Sequence, residues 1–197
     1  MATMRMGEGR AMMRSMDRPT PWREIVSQHR IAAALLAGFV ATHIATVTGY
    51  WYHGINLVDL GWPDFNGNLL LGVKASALSK FWAGTAYHYA TGVSYALFFA
   101  FIVHPLLPIK NSTGGNMLKG ILFGMVLATI SAIWWVPQLF NSVFGANLGW
   151  FSQNVSRLFY KQAAWKVPFG IYLWHFVYGF NLGAFYNPLP TEMPRSL

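Results

Sequence analysis

Cysteine is absent from this 197-residue chain, and charged residues are scarce, at 10% of the sequence. The lack of thiols excludes disulfides, thiolate metal sites, iron–sulfur clusters and c-type haem attachment within the chain. Soluble domains carry about 25% charged residues, so the scarcity of charge argues against an ordinary cytosolic globule. Hydrophobic residues make up 54% of the chain and aromatic residues 17%. This composition is typical of an integral membrane protein.

Carboxylates are the scarcer of the charged groups: Asp and Glu number six against fourteen Lys and Arg, which gives a formal net charge of +8. Proton-coupled pumps usually place Asp or Glu at membrane depth, and no apolar run of this chain contains either residue. The sequence also lacks a Walker loop, a dinucleotide fingerprint, a GxSxG elbow and an HExxH motif. We therefore expect no catalytic activity, and a small transporter is the weakest of the functions considered below.

Four apolar runs are long enough to cross a bilayer, which takes about 20 residues in a helix. They cover residues 31–52, 81–107, 120–140 and 167–186, and none contains a charged residue. The sequence therefore predicts an all-α fold with four transmembrane helices. It divides into a basic, Met- and Arg-rich tail (1–30), a transmembrane domain (31–190) and a short C-terminal tail (191–197).

The basic residues predict the orientation of the spans. Six of the fourteen precede the first apolar run, and with that tail inside, nine lie on the inner side against five on the outer side. Lys and Arg are enriched in cytoplasmic segments, where they also face anionic lipid. We expect a multi-pass protein of a prokaryotic inner membrane with both termini cytoplasmic. Nucleic-acid binding is not expected, because the sequence shows no basic face with interleaved aromatic residues.

The two halves of the transmembrane domain, about 31–107 and 118–187, resemble each other. A Leu-Gly-Trp triplet at Leu60–Trp62 recurs at Leu148–Trp150, and a His-x-x-x-Gly pattern begins at both His88 and His175. The pattern predicts two repeated helical hairpins related by a pseudo-twofold axis along the membrane normal. The two outer loops have mixed polarity over 68–81 and 154–166, and each stretch begins with Asn, a good helix cap. We expect an amphipathic interfacial helix in each.

Three histidines lie inside the predicted spans. At 1.5 Å per residue, His43, His88 and His175 are each roughly 10 to 14 Å from the outer end of their helix. An ionisable residue at that depth indicates a functional site by default. Imidazoles on facing helices can hold haem b or a chlorin, or bind copper or zinc. The alternative is that each histidine hydrogen-bonds a neighbouring helix.

The apolar motifs resemble those of small, uncharacterised four-helix membrane proteins of prokaryotes. The resemblance rests on Ala37–Thr42, on Leu118–Gly124 followed by Val136-Pro137, and on the two His-x-x-x-Gly patterns. It implies the four-helix fold and no reaction.

The remaining prediction concerns partners. A basic 30-residue tail would be disordered alone, so we expect it to dock on other integral membrane subunits and on lipid, through Arg14, Arg18, Trp22 and Arg23. The leading interpretation is a non-catalytic accessory or structural subunit of a respiratory, photosynthetic or membrane-oxygenase complex. Two alternatives stay open. One is an electron-transfer subunit that holds haem or chlorin through His88, His175 and His43. The other is a small transporter with a pathway along the repeat axis.

Overall fold

The computed structural model describes residues 20–57, 60–72, 74–132 and 165–190, and these residues form helices and turns without a strand. Helix α1 covers Pro21–Gln28, α2 Arg30–Gly49, α3 Trp62–Leu71, α4 Ala77–Leu106, α5 Thr113–Ile130 and α6 Lys166–Phe185. A short 3₁₀ turn, Tyr52–Ile55, follows α2. The all-helical class predicted from the sequence is confirmed for these residues.

Three of the helices are long and apolar enough to cross a membrane, namely α2, α4 and α5. Helices α2 and α4 begin within four residues of the first two predicted spans, whereas α5 begins at Thr113, seven residues before the third. Helix α6 coincides with the fourth predicted run to within one residue, but it is not among the three candidate membrane spans. It carries polar and amphipathic side chains along its length: Tyr172, Trp174, His175, Tyr178 and Asn181.

The long helices pack in a chain of neighbours. Helix α2 contacts both α4 and α6, α5 contacts α6, and the short α3 contacts α4. Helix α1, the α4–α5 connection and residues 186–190 meet at one end of the bundle, which we call the tail end. Residues 52–57 and 60–72 and the first turns of α4 and α6 lie at the opposite end, the loop end.

Side-chain caps define several helix starts. Thr20, Ser76 and Ser112 accept hydrogen bonds from the main-chain N–H groups at the beginnings of α1, α4 and α5. These caps satisfy N–H groups that have no partner inside the helix.

The interfacial helix predicted over 68–81 is wrong as placed. The helix of this loop begins at Trp62 instead, and the chain breaks at Gly72, whose φ of 72° suits glycine, before Ser76 starts α4. Asn68 lies within α3 rather than capping it, because Pro63 favours the first turn of a helix. Gly67 and Gly84 let the main chains of α3 and α4 touch, since a Cβ at either glycine would collide with the other helix. The second predicted interfacial helix, 154–166, lies outside the described residues apart from its last two.

A wider turn interrupts α4 near its end. Residues Phe99–Val103 form a π-helical turn just before His104 and Pro105. Proline cannot donate to the carbonyl four residues earlier, and its ring clashes with that carbonyl in a regular α-helix. The π turn is one of the local distortions that accommodate such a clash.

Candidate functional site

A cleft opens between α4 and α5 in the half of the bundle nearer the loop end. Its volume is about 340 Å³, α6 supplies residues to its wall, and Trp62 and Asn66 of α3 line it as well. Six of the fourteen described lining residues are Trp, Tyr or Phe, namely Trp62, Tyr87, Tyr95, Phe98, Trp174 and Tyr178. No Asp, Glu, Lys or Arg is among the described lining residues, so the cleft suits a neutral ligand.

The cleft brings together two of the three predicted site histidines, and His88 is the first. Its Nε2 lies 2.8 Å from Thr46 Oγ1, and Thr46 Oγ1 donates its hydrogen to the Thr42 carbonyl at 2.6 Å. Since a hydroxyl has one hydrogen, His88 Nε2 must be the donor of its own bond. A charged imidazole without an anion is costly in an apolar interior, so the ring is neutral and Nδ1 is left as an acceptor. Among the described residues, that nitrogen is reached only by Asn66 Nδ2, at a long 3.5 Å.

His175 is arranged in a similar way on α6. Its Nδ1 donates to the Ile171 carbonyl at 2.8 Å, which leaves Nε2 as the acceptor of the neutral ring. The hydroxyl of Ser131 lies 3.3 Å from Nε2, which is longer than an ordinary hydrogen bond from a hydroxyl. Each cleft histidine therefore has one firmly bonded nitrogen and one weakly satisfied acceptor.

Trp174 links the two histidines. Its ring centroid lies 5.5 Å from that of His88 and 5.0 Å from that of His175, and it stacks on Tyr178. The indole N–H groups of Trp174 and Trp62 are buried and find no acceptor among the described residues. Tyr178 is fixed by donating to the Gly92 carbonyl at 2.7 Å. This bond holds the α6 side of the cleft in place.

His43 lies outside the cleft, on an exposed face where α2 meets α4. Its Nδ1 is 2.7 Å from the hydroxyl of half-buried Tyr89, and exposed Phe39 stacks on its ring. The sequence contained a signal for this placement. Ala37, Ala41 and Ala45 form the buried stripe of α2. His43 is two residues from both Ala41 and Ala45, and at 3.6 residues per turn this puts it on the opposite face of the helix.

The tail end holds a buried polar cluster that the sequence analysis did not predict. Lys119 Nζ donates to the His104 carbonyl at 3.0 Å and to Asn111 Oδ1 at 2.7 Å. His104 Nε2 bonds Asn116 Oδ1 at 2.9 Å, and Asn116 Nδ2 donates to Asn187 Oδ1 at 2.7 Å. Because these partners come from α4, α5 and the end of the described chain, no local pattern could have paired them.

Two of the predicted partner-binding residues lie at the tail end. The Arg23 guanidinium is buried and donates to the carbonyls of Asn111 at 2.7 Å and Pro188 at 3.1 Å. Trp22 Nε1 donates to the Phe185 carbonyl at 2.9 Å. Both side chains therefore fasten α1 to its own chain. Arg14 and Arg18 lie outside the described residues, and the assignment of all four to a partner stays a prediction.

The described residues contain no group of three or more His, Asp or Glu side chains that could hold a metal ion. No protein-family model, curated protein or solved structure matches the chain. The site is therefore interpreted from its own geometry.

Proposed function

We propose that this chain is a non-catalytic subunit of a larger integral membrane complex. The observation that carries the proposal is the His43–Tyr89 pair on the exposed face of α2 and α4. His43 is six residues from the end of α2, which puts it roughly 9 Å inside the span.

His43 and Tyr89 carry one polar hydrogen each, and the bond between them uses only one of the two. If the Tyr89 hydroxyl donates to Nδ1, the N–H at Nε2 of His43 has no acceptor among the described residues. If Nδ1–H donates instead, the Tyr89 hydroxyl hydrogen is left over. An unsatisfied donor in hydrocarbon costs several kcal/mol. Its acceptor is therefore best supplied by a transmembrane helix of another subunit, packed over Phe39, His43 and Val47.

Replacing His43 tests the proposal. The variant His43→Leu removes the polar group and suits lipid, so it should leave the bundle intact and weaken its association with partner subunits. The measurement is purification in mild detergent followed by mass spectrometry of the co-purifying chains. Phe176→Leu is a matched control, because Phe176 is an exposed residue of α6.

Two results would contradict this function. Undiminished recovery of the partners with His43→Leu would mean that the face lies against lipid or water. Recovery of the wild-type chain only as copies of itself would mean that there is no larger complex to serve.

We also propose the finer form of the fold and its orientation. In this proposal α6 is the fourth span, and α2–α4 and α5–α6 are repeated hairpins in a prokaryotic inner membrane, with the tail end cytoplasmic. Parallel contacts support the repeat. His88 reaches a hydroxyl of α2, at Thr46, and His175 reaches a hydroxyl just after α5, at Ser131. The concentration of Lys and Arg near the tail end supports the orientation.

A second candidate function is an electron-transfer subunit that holds haem b or a chlorin. What favours it is the placement of two neutral histidines in one cleft, each with its second nitrogen held by a hydroxyl or carbonyl oxygen, as metal-ligating histidines usually are. Visible absorption of the chain purified from its native membrane tests it. A Soret or chlorin band lost in His175→Leu would favour this candidate over the first.

A further inference from the structure

We propose that the cleft between α4 and α5 binds the aromatic head group of a lipid-soluble quinol. The volume of the cleft matches a small aromatic ring system. A cavity of about 150 Å³ accommodates benzene, so the 340 Å³ of this cleft suits a substituted single ring or a fused pair. A porphyrin core has about four times the ring atoms of benzene, and by the same ratio it needs roughly 600 Å³. Only part of that macrocycle would fit inside the cleft, and the rest would extend through its open side.

Two histidine nitrogens in the cleft can accept hydrogen bonds from a ligand. His88 Nδ1 and His175 Nε2 are lone-pair nitrogens held only by contacts of 3.5 and 3.3 Å. Both rings line the cleft and both are packed against the same indole. A ligand that donates through hydroxyl groups satisfies these nitrogens, whereas a purely apolar ligand or a quinone has no hydrogen to give.

The cleft also supplies a hydrogen-bond donor. Tyr95 lines the cleft, and its hydroxyl makes no hydrogen bond within the described part of the chain. A quinol oxygen donates one hydrogen and accepts others, so it can serve a histidine and a donor together. Flat aromatic walls favour a flat aromatic ring.

The described lining of the cleft carries no formal charge. The described lining has no Asp, Glu, Lys or Arg, so neither an anionic nor a cationic head group is matched by a counter-charge. A neutral, membrane-soluble ring avoids that penalty, and it can reach a cleft located between two membrane-spanning helices without crossing water.

Binding of a synthetic quinol tests the proposal on the full-length chain in detergent. The probe is hexyl-1,4-benzoquinol, and its dimethyl ether serves as a matched ligand that has lost only the two donor hydrogens. We expect saturable one-to-one binding by native mass spectrometry and quenching of tryptophan fluorescence. The ether should bind at least about tenfold more weakly, because each lost hydrogen leaves an acceptor unsatisfied.

Protein variants locate the site. His88→Leu and His175→Leu should each weaken quinol binding about tenfold or more. His29→Leu, the same change at an exposed position away from the cleft, should leave it unaltered. If a histidine variant fails to fold, Tyr95→Phe replaces it, because Tyr95 is exposed and only its hydroxyl is removed; about threefold to tenfold weaker binding is expected.

The source of the ring is decided by a third ligand. If p-cresol, which has no tail, binds as tightly as the hexyl quinol, the proposed head-group chemistry stands and a soluble phenol is the source. Equal affinity for quinol and ether, or equal affinity of the wild type and both histidine variants, overturns the proposal. Uptake of added haem with a Soret band that His175→Leu abolishes also overturns it, in favour of a macrocycle. These measurements need no partner subunit, so they are independent of the proposed function.

Discussion

Lys119 is a buried cation whose hydrogen bonds go to neutral oxygen atoms. Its ammonium group lies against the His104 carbonyl, close to the C-terminal end of α4. The last carbonyls of a helix lack partners inside the helix and carry the negative end of its dipole. Arg23 is likewise bonded to neutral oxygen atoms in the described structure, the main-chain carbonyls of Asn111 and Pro188, which lie beyond the ends of α4 and α6. Carbonyl oxygen atoms thus supply the negative charge density that a carboxylate would otherwise provide.

We predict that Lys119→Met destabilises the bundle by about 1–2 kcal/mol, because two buried acceptors lose their donor. Lys119→Gln should cost less, since its amide can still donate. Midpoints of unfolding followed by tryptophan fluorescence in a denaturing-detergent titration measure the order. Lys74→Met, at an exposed site, is the control for loss of a positive charge. A more stable Met variant would show that the cost of burying the ammonium exceeds the value of its bonds.

For single residues the sequence predicted the helix of each histidine but not the face on which it lies. His43, His88 and His175 all lie within helices, as predicted, and their depth in a membrane stays a prediction. Which of them share a cleft depends on how the helices rotate against one another. That rotation is set by contacts such as Gly92 against Thr42, which join residues 50 positions apart and leave no local pattern.

Helices α5 and α6 are in main-chain contact over several turns. A Cβ at Gly179 would collide with the main chain of Gly120, and one at Gly183 with that of Asn116. Apolar burial does not drive helices together within lipid, so this approach gains its stability from dispersion contacts between backbones. The α6 wall of the cleft depends on that fit.

We predict that Gly179→Ala destabilises the bundle by about 1–3 kcal/mol, because main-chain neighbours cannot move aside as a flexible side chain does. Gly114→Ala makes the same chemical change in α5 where a Cβ meets open space. It should be neutral or slightly stabilising, since alanine favours helix over glycine by up to about 1 kcal/mol. The same unfolding titration compares the two variants. Equal midpoints would show that α5 and α6 are not tightly packed at Gly179.

The helices were predictable from the sequence to within a few residues where one apolar run makes one helix. The run over 31–52 became α2, and that over 167–186 became α6. The failures came where two signals competed. The interfacial helix was predicted to begin at Asn68, a good cap, although Pro63 also favours a helix start. The run over 81–107 was predicted as one span although it includes Pro105, which follows the wider turn at Phe99–Val103.

At the scale of the whole molecule, the proposed orientation is testable because the chain has no cysteine of its own. Gly54 lies at the loop end and Gly114 at the tail end, and a Cβ at either meets open space. A membrane-impermeant maleimide should label Gly54→Cys in intact cells with the outer membrane opened. Gly114→Cys should be labelled only after the inner membrane is breached. The reverse pattern would invert the orientation.

The joining of the chain's first and last described segments has a consequence for the order of events during synthesis. Arg23 is bonded to the carbonyl of Pro188, and Ser27 accepts from the main-chain N–H of Leu189. The Pro188 carbonyl and the Leu189 N–H are synthesised more than 150 residues after Arg23 and Ser27. In the proposed orientation, Arg23 is therefore a solvated charge while the early helices choose their direction, which is when a cytoplasmic cation has its effect. It becomes a buried fastener only after α6 is in place, so one residue serves topology first and structure afterwards.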